Sequence, residues 1–297
     1  MKVWIRRTLV GVTALVVVAV AGVFALATLG DRKLERRIDV AVAGVPLVGD
    51  AASVERGGYL FRSSGCGDCH GPDGTGRVVV EDGASMLIRA PNITAGSGGT
   101  TAAYTPADWV RTVRHGVKPN GRPLMIMPSE EYNRLTDADL AAVVAYIRRL
   151  PPKSGEGATI RLPLPVRVLY GASVFKDASE KIDHRLAPAQ PVAEGVTAAH
   201  GAYVAHGCTG CHRADLSGGK IAGTPPSWPA AARLAPGEGS VMSRYPDAAS
   251  FAAMFKTGKR PDGSAVSTVM PFASLREKSD VDVRALYLYL TTMPPPR

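Results

Sequence analysis

Cysteine is scarce in this chain of 297 residues: there are four, and none stands outside two short pentapeptides. No thiol is therefore left over for any role that those pentapeptides do not play. Charge is also sparse, at 21% of residues against 45% apolar, which excludes a disordered chain and predicts real buried cores. Low-complexity tracts are missing; the 55 glycines and prolines lie scattered between apolar runs, a pattern of short helices joined by long, shaped loops. No serine, aspartate or glutamate near the loops forms a nucleophile-and-base pattern, so the sequence offers no catalytic residue.

What is present begins with an apolar run. Thr8 to Leu29 carries no charge over 22 residues, with Lys2, Arg6 and Arg7 before it and Asp31, Arg32 and Lys33 after. Its length suits a bilayer span, which needs about 20 residues. The basic residues ahead of it keep the amino terminus in the cytoplasm and send the rest across the membrane. The competing reading is a cleaved signal peptide, since Ala25-Leu26-Ala27 resembles a small-residue cleavage site, but the run exceeds the usual apolar core of about 7 to 15 residues. The expectation is a single-pass anchor in the inner (cytoplasmic) membrane, with the remaining chain on the periplasmic side. The formal charge of +9 suggests a polyanion partner until it is located: residues 1–37 hold +5 of it, leaving +4 for the other 260. No nucleic-acid partner is expected.

The four cysteines form two copies of one pattern, Cys66-Gly67-Asp68-Cys69-His70 and Cys208-Thr209-Gly210-Cys211-His212. Two thiols three positions apart on one helical turn can add to the two vinyl groups of one haem, and the next residue puts an imidazole under the iron. A zinc site would need both pairs to converge on one metal and would leave the histidines unexplained. A redox dithiol would need a thioredoxin-like strand and helix pattern, and a disulfide would close a very small loop. Two covalently bound haem c groups are thus expected, with His70 and His212 as proximal metal ligands. Their four propionates would bring the exported part near neutrality.

The sixth iron positions must be filled from elsewhere, and methionine or histidine is usual. Met127 and Met270 each precede a proline, 57 and 58 residues beyond the histidine of their own pentapeptide. That matched separation makes them the expected axial ligands rather than gap-filling core residues. Met125 is a rival two residues away, and His115 another, though it reads better as a surface histidine at a helix end.

The pentapeptides belong to a longer internal repeat of about 142 residues. An aromatic-bearing helix precedes each, through Tyr59 and Phe61 in one and Tyr203 in the other. A helix from Trp109 or Phe251 then leads to a loop in which Pro119-Asn120-Gly121 matches Pro261-Asp262-Gly263. Each unit ends in a capped amphipathic helix, announced by Thr136-Asp137-Ala138-Asp139 or Ser279-Asp280-Val281-Asp282. Leu140, Val143, Val144 and Ile147 have the spacing of one buried helical face. Glycines beside the first helix's aromatics permit its close crossing with the last, and the tyrosines read as packing only. Between the repeats, Ile160 to Val166 and Val168 to Tyr170 are too apolar for a free tether; the segment is expected to pack along both units, with a partner-docking surface as the alternative.

Arg89-Ala90-Pro91-Asn92-Ile93-Thr94, the Trp109 helix, Gly121-Arg122-Pro123, Met127-Pro128 and Leu135 through Pro152 resemble the first domain of membrane-bound cytochrome c subunits of bacterial periplasmic dehydrogenases. The similarity covers nearly all of residues 53–170, and weaker class I cytochrome c features cover 195–293. The resemblance implies an all-α fold of two tandem class I cytochrome c domains behind an N-terminal transmembrane helix. Its division is 1–32 anchor, 33–52 linker, 53–152 first domain, 153–194 packed interdomain linker and 195–297 second domain. It implies that the carbonyl of Pro91 accepts from the His70 ring, fixing the imidazole, and that Pro226 is the counterpart for His212. It also implies electron transfer, from a dehydrogenase subunit carrying flavin, a quinone cofactor or molybdenum, to quinone, an oxidase or another cytochrome. The family's subunits usually hold three haems, and this chain has two pentapeptides. The expected function is a two-haem electron-transfer protein of the respiratory chain, not an enzyme in its own right. The alternative is a two-haem enzyme, a peroxidase or sulfur-compound oxidase, with one open iron; a haem sensor is a third class.

Overall fold

The computed structural model describes residues 2–83, 85–221, 224–225 and 227–296. Helix α1 (Lys2–Glu35) takes in the whole apolar run and continues through the charged flank behind it. Most of the apolar stretch is uncovered by the rest of the protein, whereas Ala27 and Gly30 at its end are buried. The first half then folds as α2 (Ala51–Ser63), α3 (Cys66–His70), α4 (Pro106–His115), α5 (Ser129–Tyr132) and α6 (Asp137–Arg149). A linker carrying α7 (Leu164–Gly171) leads to the second half, α8 (Ala198–Ala205), α9 (Thr209–His212), α10 (Ala248–Thr257), α11 (Phe272–Leu275) and α12 (Asp280–Thr292).

Side-chain caps set where these helices start. Asp50 accepts from the Ser53 backbone N–H at 2.9 Å ahead of α2, and Thr197 from His200 N–H at 3.1 Å ahead of α8. Thr136 and Ser279 do the same for α6 and α12, accepting from Asp139 and Asp282 N–H at 3.0 and 3.1 Å. The face foreseen on α6, Leu140, Val143, Val144 and Ile147, is buried against Leu60, Phe61, Trp109 and Val113. A second core gathers Phe251, Met254, Phe255, Val283, Leu286 and Leu290. In both halves the first and last helices cross with backbones touching. A methyl group at Gly57 would collide with the Ala142 carbonyl, and one at Gly201 with that of Ala285. Phe61 and Tyr146 pack ring against ring at that crossing, with centroids 5.2 Å apart.

The all-α expectation needs correcting: the chain is mostly helical, with a small antiparallel sheet in the order β1 (Arg77–Glu81), β2 (Leu87–Ala90), β3 (Thr159–Arg161). The β-branched run Val78-Val79-Val80 favours β1, and β3 is contributed by the linker. The expected packing along both units also changes. Linker residues find their partners in the first half and in α1: Lys181 reaches Glu130 at 2.8 Å, Ala178 N–H reaches the Leu124 carbonyl at 3.0 Å, and α7 lies across the end of α1.

The two halves meet directly instead. The Tyr203 hydroxyl donates to Asp139 at 2.6 Å and accepts from the Thr136 N–H at 3.2 Å. Tyr59 makes the equivalent contacts in exchange, donating to Asp282 and accepting from Ser279 N–H at 3.1 Å. Each half's first helix thus ties down the start of the other half's last helix. In the same reciprocal way α5 packs on α9, and α11 on α3.

Candidate haem-binding site

Helix α2 ends at Ser63, and Gly65, at φ 78°, makes the left-handed turn that restarts the chain as the single turn α3. That turn aims Cys66, Cys69 and His70 into a cavity of about 260 Å³. Met125 and Met127 line the same cavity, whose walls are mostly apolar and include Trp109, Val113 and Ile147. His70 Nδ1–H donates to the Pro91 carbonyl at 3.0 Å, which fixes the ring and leaves Nε2 for a metal. Burial pulls the His70 pKa below the usual histidine value, only partly offset by that hydrogen bond, so the imidazole is neutral and able to ligate.

The second pentapeptide starts differently, with Cys208 in a 3-10 turn ahead of α9, but its histidine is held in the same way. His212 Nδ1–H donates at 2.7 Å to a backbone carbonyl, that of Ala232, and burial lowers its pKa as it does for His70. Pro226, expected in this role, lies outside the described residues. The separation from histidine to acceptor, 21 residues for Pro91 and 20 for Ala232, was the usable signal; matching proline to proline was not.

The two methionines sit in near-identical turns. Pro128 and Pro271 share φ −79°, with ψ 60° and 68°. The N–H of the residue after each proline closes back on the methionine carbonyl, at 2.8 Å in both Ser129 to Met127 and Phe272 to Met270. Met127 packs against the first core and Met270 against the second. Met125 is the more deeply buried of the first pair. His115 faces elsewhere: it is buried rather than on the surface, 3.0 Å from the linker's His184 through their Nδ1 atoms, one ring donating and the other accepting.

None of the four cysteines is in a disulfide. Burial pushes the Cys66 thiol up to about 12 and that of Cys208 up to about 11, and raises Cys69 and Cys211 as well. Redox dithiols are tuned in the opposite direction, towards thiolate at neutral pH. Among the described residues no three His, Cys, Asp or Glu side chains gather as a metal cluster, so the pairs do not converge as a zinc site requires. An apolar cavity lined by two thiols, a neutral oriented imidazole and two thioethers fits a covalently held haem.

Comparison with known proteins agrees with the chemistry of this donor set. Residues 52–147 match the family described as cytochrome C oxidase, cbb3-type, subunit III. This is a cytochrome c domain protein. The cytochrome is similar to the fructose dehydrogenase cytochrome subunit of Gluconobacter japonicus, 30% identical over 43% of this chain and 27% of that protein. The gluconate 2-dehydrogenase cytochrome c subunit of Pantoea cypripedii is 29% identical over 54% of this chain and 38% of its own length. The cytochrome c subunit of alcohol dehydrogenase (quinone) from Gluconacetobacter polyoxogenes is 30% identical over 33% and 22%. The cytochrome therefore spans well under half the length of each of these relatives. Covalent haem c in the domain that contains His70 follows from this kinship.

Proposed function

We propose that the chain is a two-haem c-type cytochrome, made of two tandem cytochrome c domains, that relays electrons from a periplasmic dehydrogenase to quinone, an oxidase or another cytochrome. The observation that carries this reading is the doubling of the site: two oriented proximal histidines, two thiol pairs of one spacing and two methionine-proline turns of one geometry. Bound haem supplies a one-electron couple, which methionine ligation holds at a raised potential. The chain's own contribution is to orient His70 and His212, to exclude water with apolar walls, and to offer Met127 and Met270 as the sixth ligands. With both irons closed no position is left for substrate, so the chain acts as an electron-transfer protein or subunit and not as an enzyme in its own right. The names of the relatives, cytochrome subunits of fructose, gluconate and alcohol dehydrogenases, support a dehydrogenase as the electron donor.

We read α1 as a retained single-pass anchor of the inner membrane, with both domains on the periplasmic side. In support, Ala27, at the end of the possible cleavage motif, is only 2% exposed, and the turn after it is built into the contact with α7. The test is haem counted per chain, with absorption spectra of the oxidised and reduced full-length protein. Two covalent haems and a full-strength methionine-to-iron band are expected. One haem per chain, or a high-spin signal in the untouched protein, would refute the closed two-haem relay and favour an enzyme with an open iron.

A further inference from the structure

We propose that α7 lies in the exported face of the bilayer, as an interfacial helix that docks the haem-bearing part onto the membrane beside its anchor; this rests on the reading of α1 as a retained span. The bilayer core, about 30 Å thick, takes about 20 residues of helix. Thr8 to Leu29 fills it, so the turn around Leu26 to Gly30 stands at the outer boundary between hydrocarbon and headgroups. That turn is where α7 crosses. A methyl group at Gly30 would strike the Arg167 carbonyl, and one at Gly171 would strike that of Leu26, so the two backbones touch as small residues allow. Arg167 Nε holds Asp31 at 2.7 Å just beyond the crossing.

The face that α7 turns from the protein is fixed by Tyr170. This residue is fully buried, its hydroxyl donating to Asp177 at 2.5 Å and accepting from Arg36 at 3.0 Å. At about 3.6 residues per turn, Leu164, Pro165, Val168, Leu169 and Ala172 fall on the side opposite Tyr170. Every one is apolar, and Leu164 and Leu169 are 42% and 44% exposed. Val174, just past the helix, is 57% exposed. On α1, which α7 crosses, Phe24 and Leu29 near the crossing are exposed too. Exposed basic side chains flank it: Arg32 on α1, and Arg161 and Lys176 either side of α7. An apolar face at headgroup depth with lysine and arginine at its edges is the chemistry of an interfacial helix on anionic phospholipid.

The full-length cytochrome in vesicles of phosphatidylethanolamine and phosphatidylglycerol tests this. Single substitutions Leu164→Cys and Leu169→Cys are compared with Glu238→Cys on an exposed loop and Val16→Cys in mid-span. For each, the rate of labelling by a lipid-soluble maleimide is divided by the rate with a charged one, and haem absorption checks folding. The inference expects ratios at 164, 169 and 16 several-fold above that at 238. A high ratio at 16 with water-like ratios at 164 and 169 overturns the docking and leaves the anchor standing. A mature chain lacking residue 16 by mass overturns the anchor, and the docking with it.

Discussion

Replacing Tyr203 by phenylalanine removes one oxygen from the seam between the halves and leaves every apolar contact in place. That oxygen donates to the Asp139 carboxylate at 2.6 Å and accepts from the Thr136 N–H at 3.2 Å. A hydrogen bond to a charged group contributes about 1.5–3 kcal/mol, and an N–H left half-buried without a partner adds to the loss. Asp139 keeps Arg56, whose Nε and guanidinium nitrogen lie 2.9 and 3.2 Å from its oxygens, so the carboxylate is not stranded. The expected cost is about 2 kcal/mol. Tyr59→Phe should cost a similar amount, since Asp282 keeps the His200 ring at 2.7 Å. The assay is guanidinium unfolding of the haem-loaded, detergent-solubilised chain, followed separately at the haem band and by circular dichroism. Because the two phenols close one interface, the double variant should lose less than the sum of the singles.

The pH arm of this experiment has a definite sign. Burial first, and then the neighbouring carboxylate through its charge and hydrogen bond, raise the pKa of both phenols above their ordinary value near 10. The folded chain therefore holds these protons more tightly than the unfolded one. Their contribution is whole below about pH 10 and is lost as pH rises beyond it, so stability should fall there in the parent and much less in the double phenylalanine variant. Losses below about 0.5 kcal/mol for both single variants would mean that the crossed tyrosines do not hold the halves together.

Gly57→Ala and Gly201→Ala should each cost about 1–3 kcal/mol, read as a lowered melting temperature, because the new methyl meets a backbone carbonyl that cannot turn aside. Met127→Ala or Met270→Ala should each halve the methionine-to-iron band and open one high-spin iron; an unchanged band in Met127→Ala would point to Met125 as the ligand. Burial, then the charge of Glu130, pushes the Glu131 carboxyl up to about 8, while Lys181 and Lys278 pull it down. Its protonated form is favoured in the fold, so stability should decline as pH rises from about 4.3 through 8, and Glu131→Gln should flatten that decline in guanidinium midpoints.

Features encoded over a few residues are legible in the sequence alone. The uncharged run of α1, the two pentapeptides, the caps at Thr136 and Ser279 and the buried stripe on α6 each follow from spacing or from a side chain satisfying a neighbouring backbone group. Contacts that join distant segments are not. The strand Thr159–Arg161 exists because Leu87–Ala90 offers it an edge, and His115 is buried because His184 covers it. Tyr59 and Tyr203 read as packing residues because their hydroxyl partners lie 223 and 64 positions away, across the seam. The acceptor for His212 was sought by residue type, although any backbone carbonyl serves, and position along the chain decides which one arrives.

The crossed contacts bear on how a relay of this kind would be held. If the linker set the distance between the haem sites, that distance would vary with each flexing of residues 153–194. Instead Tyr59 and Tyr203 fasten each first helix to the opposite last helix, and α5 and α11, which follow directly on Met127-Pro128 and Met270-Pro271, pack on the opposite pentapeptide helices α9 and α3. The elements that present the axial and proximal candidates are the same ones that form the seam. On the two-haem reading, separation and mutual orientation are then fixed by direct contact, and the linker is left to a different task. It is joined to α1, through the Gly30 and Gly171 crossing and the Arg36 to Asp177 ion pair at 2.7 Å. One set of contacts thus fixes the sites to each other, and the other fixes the pair to α1, which on the anchor reading holds them at the membrane.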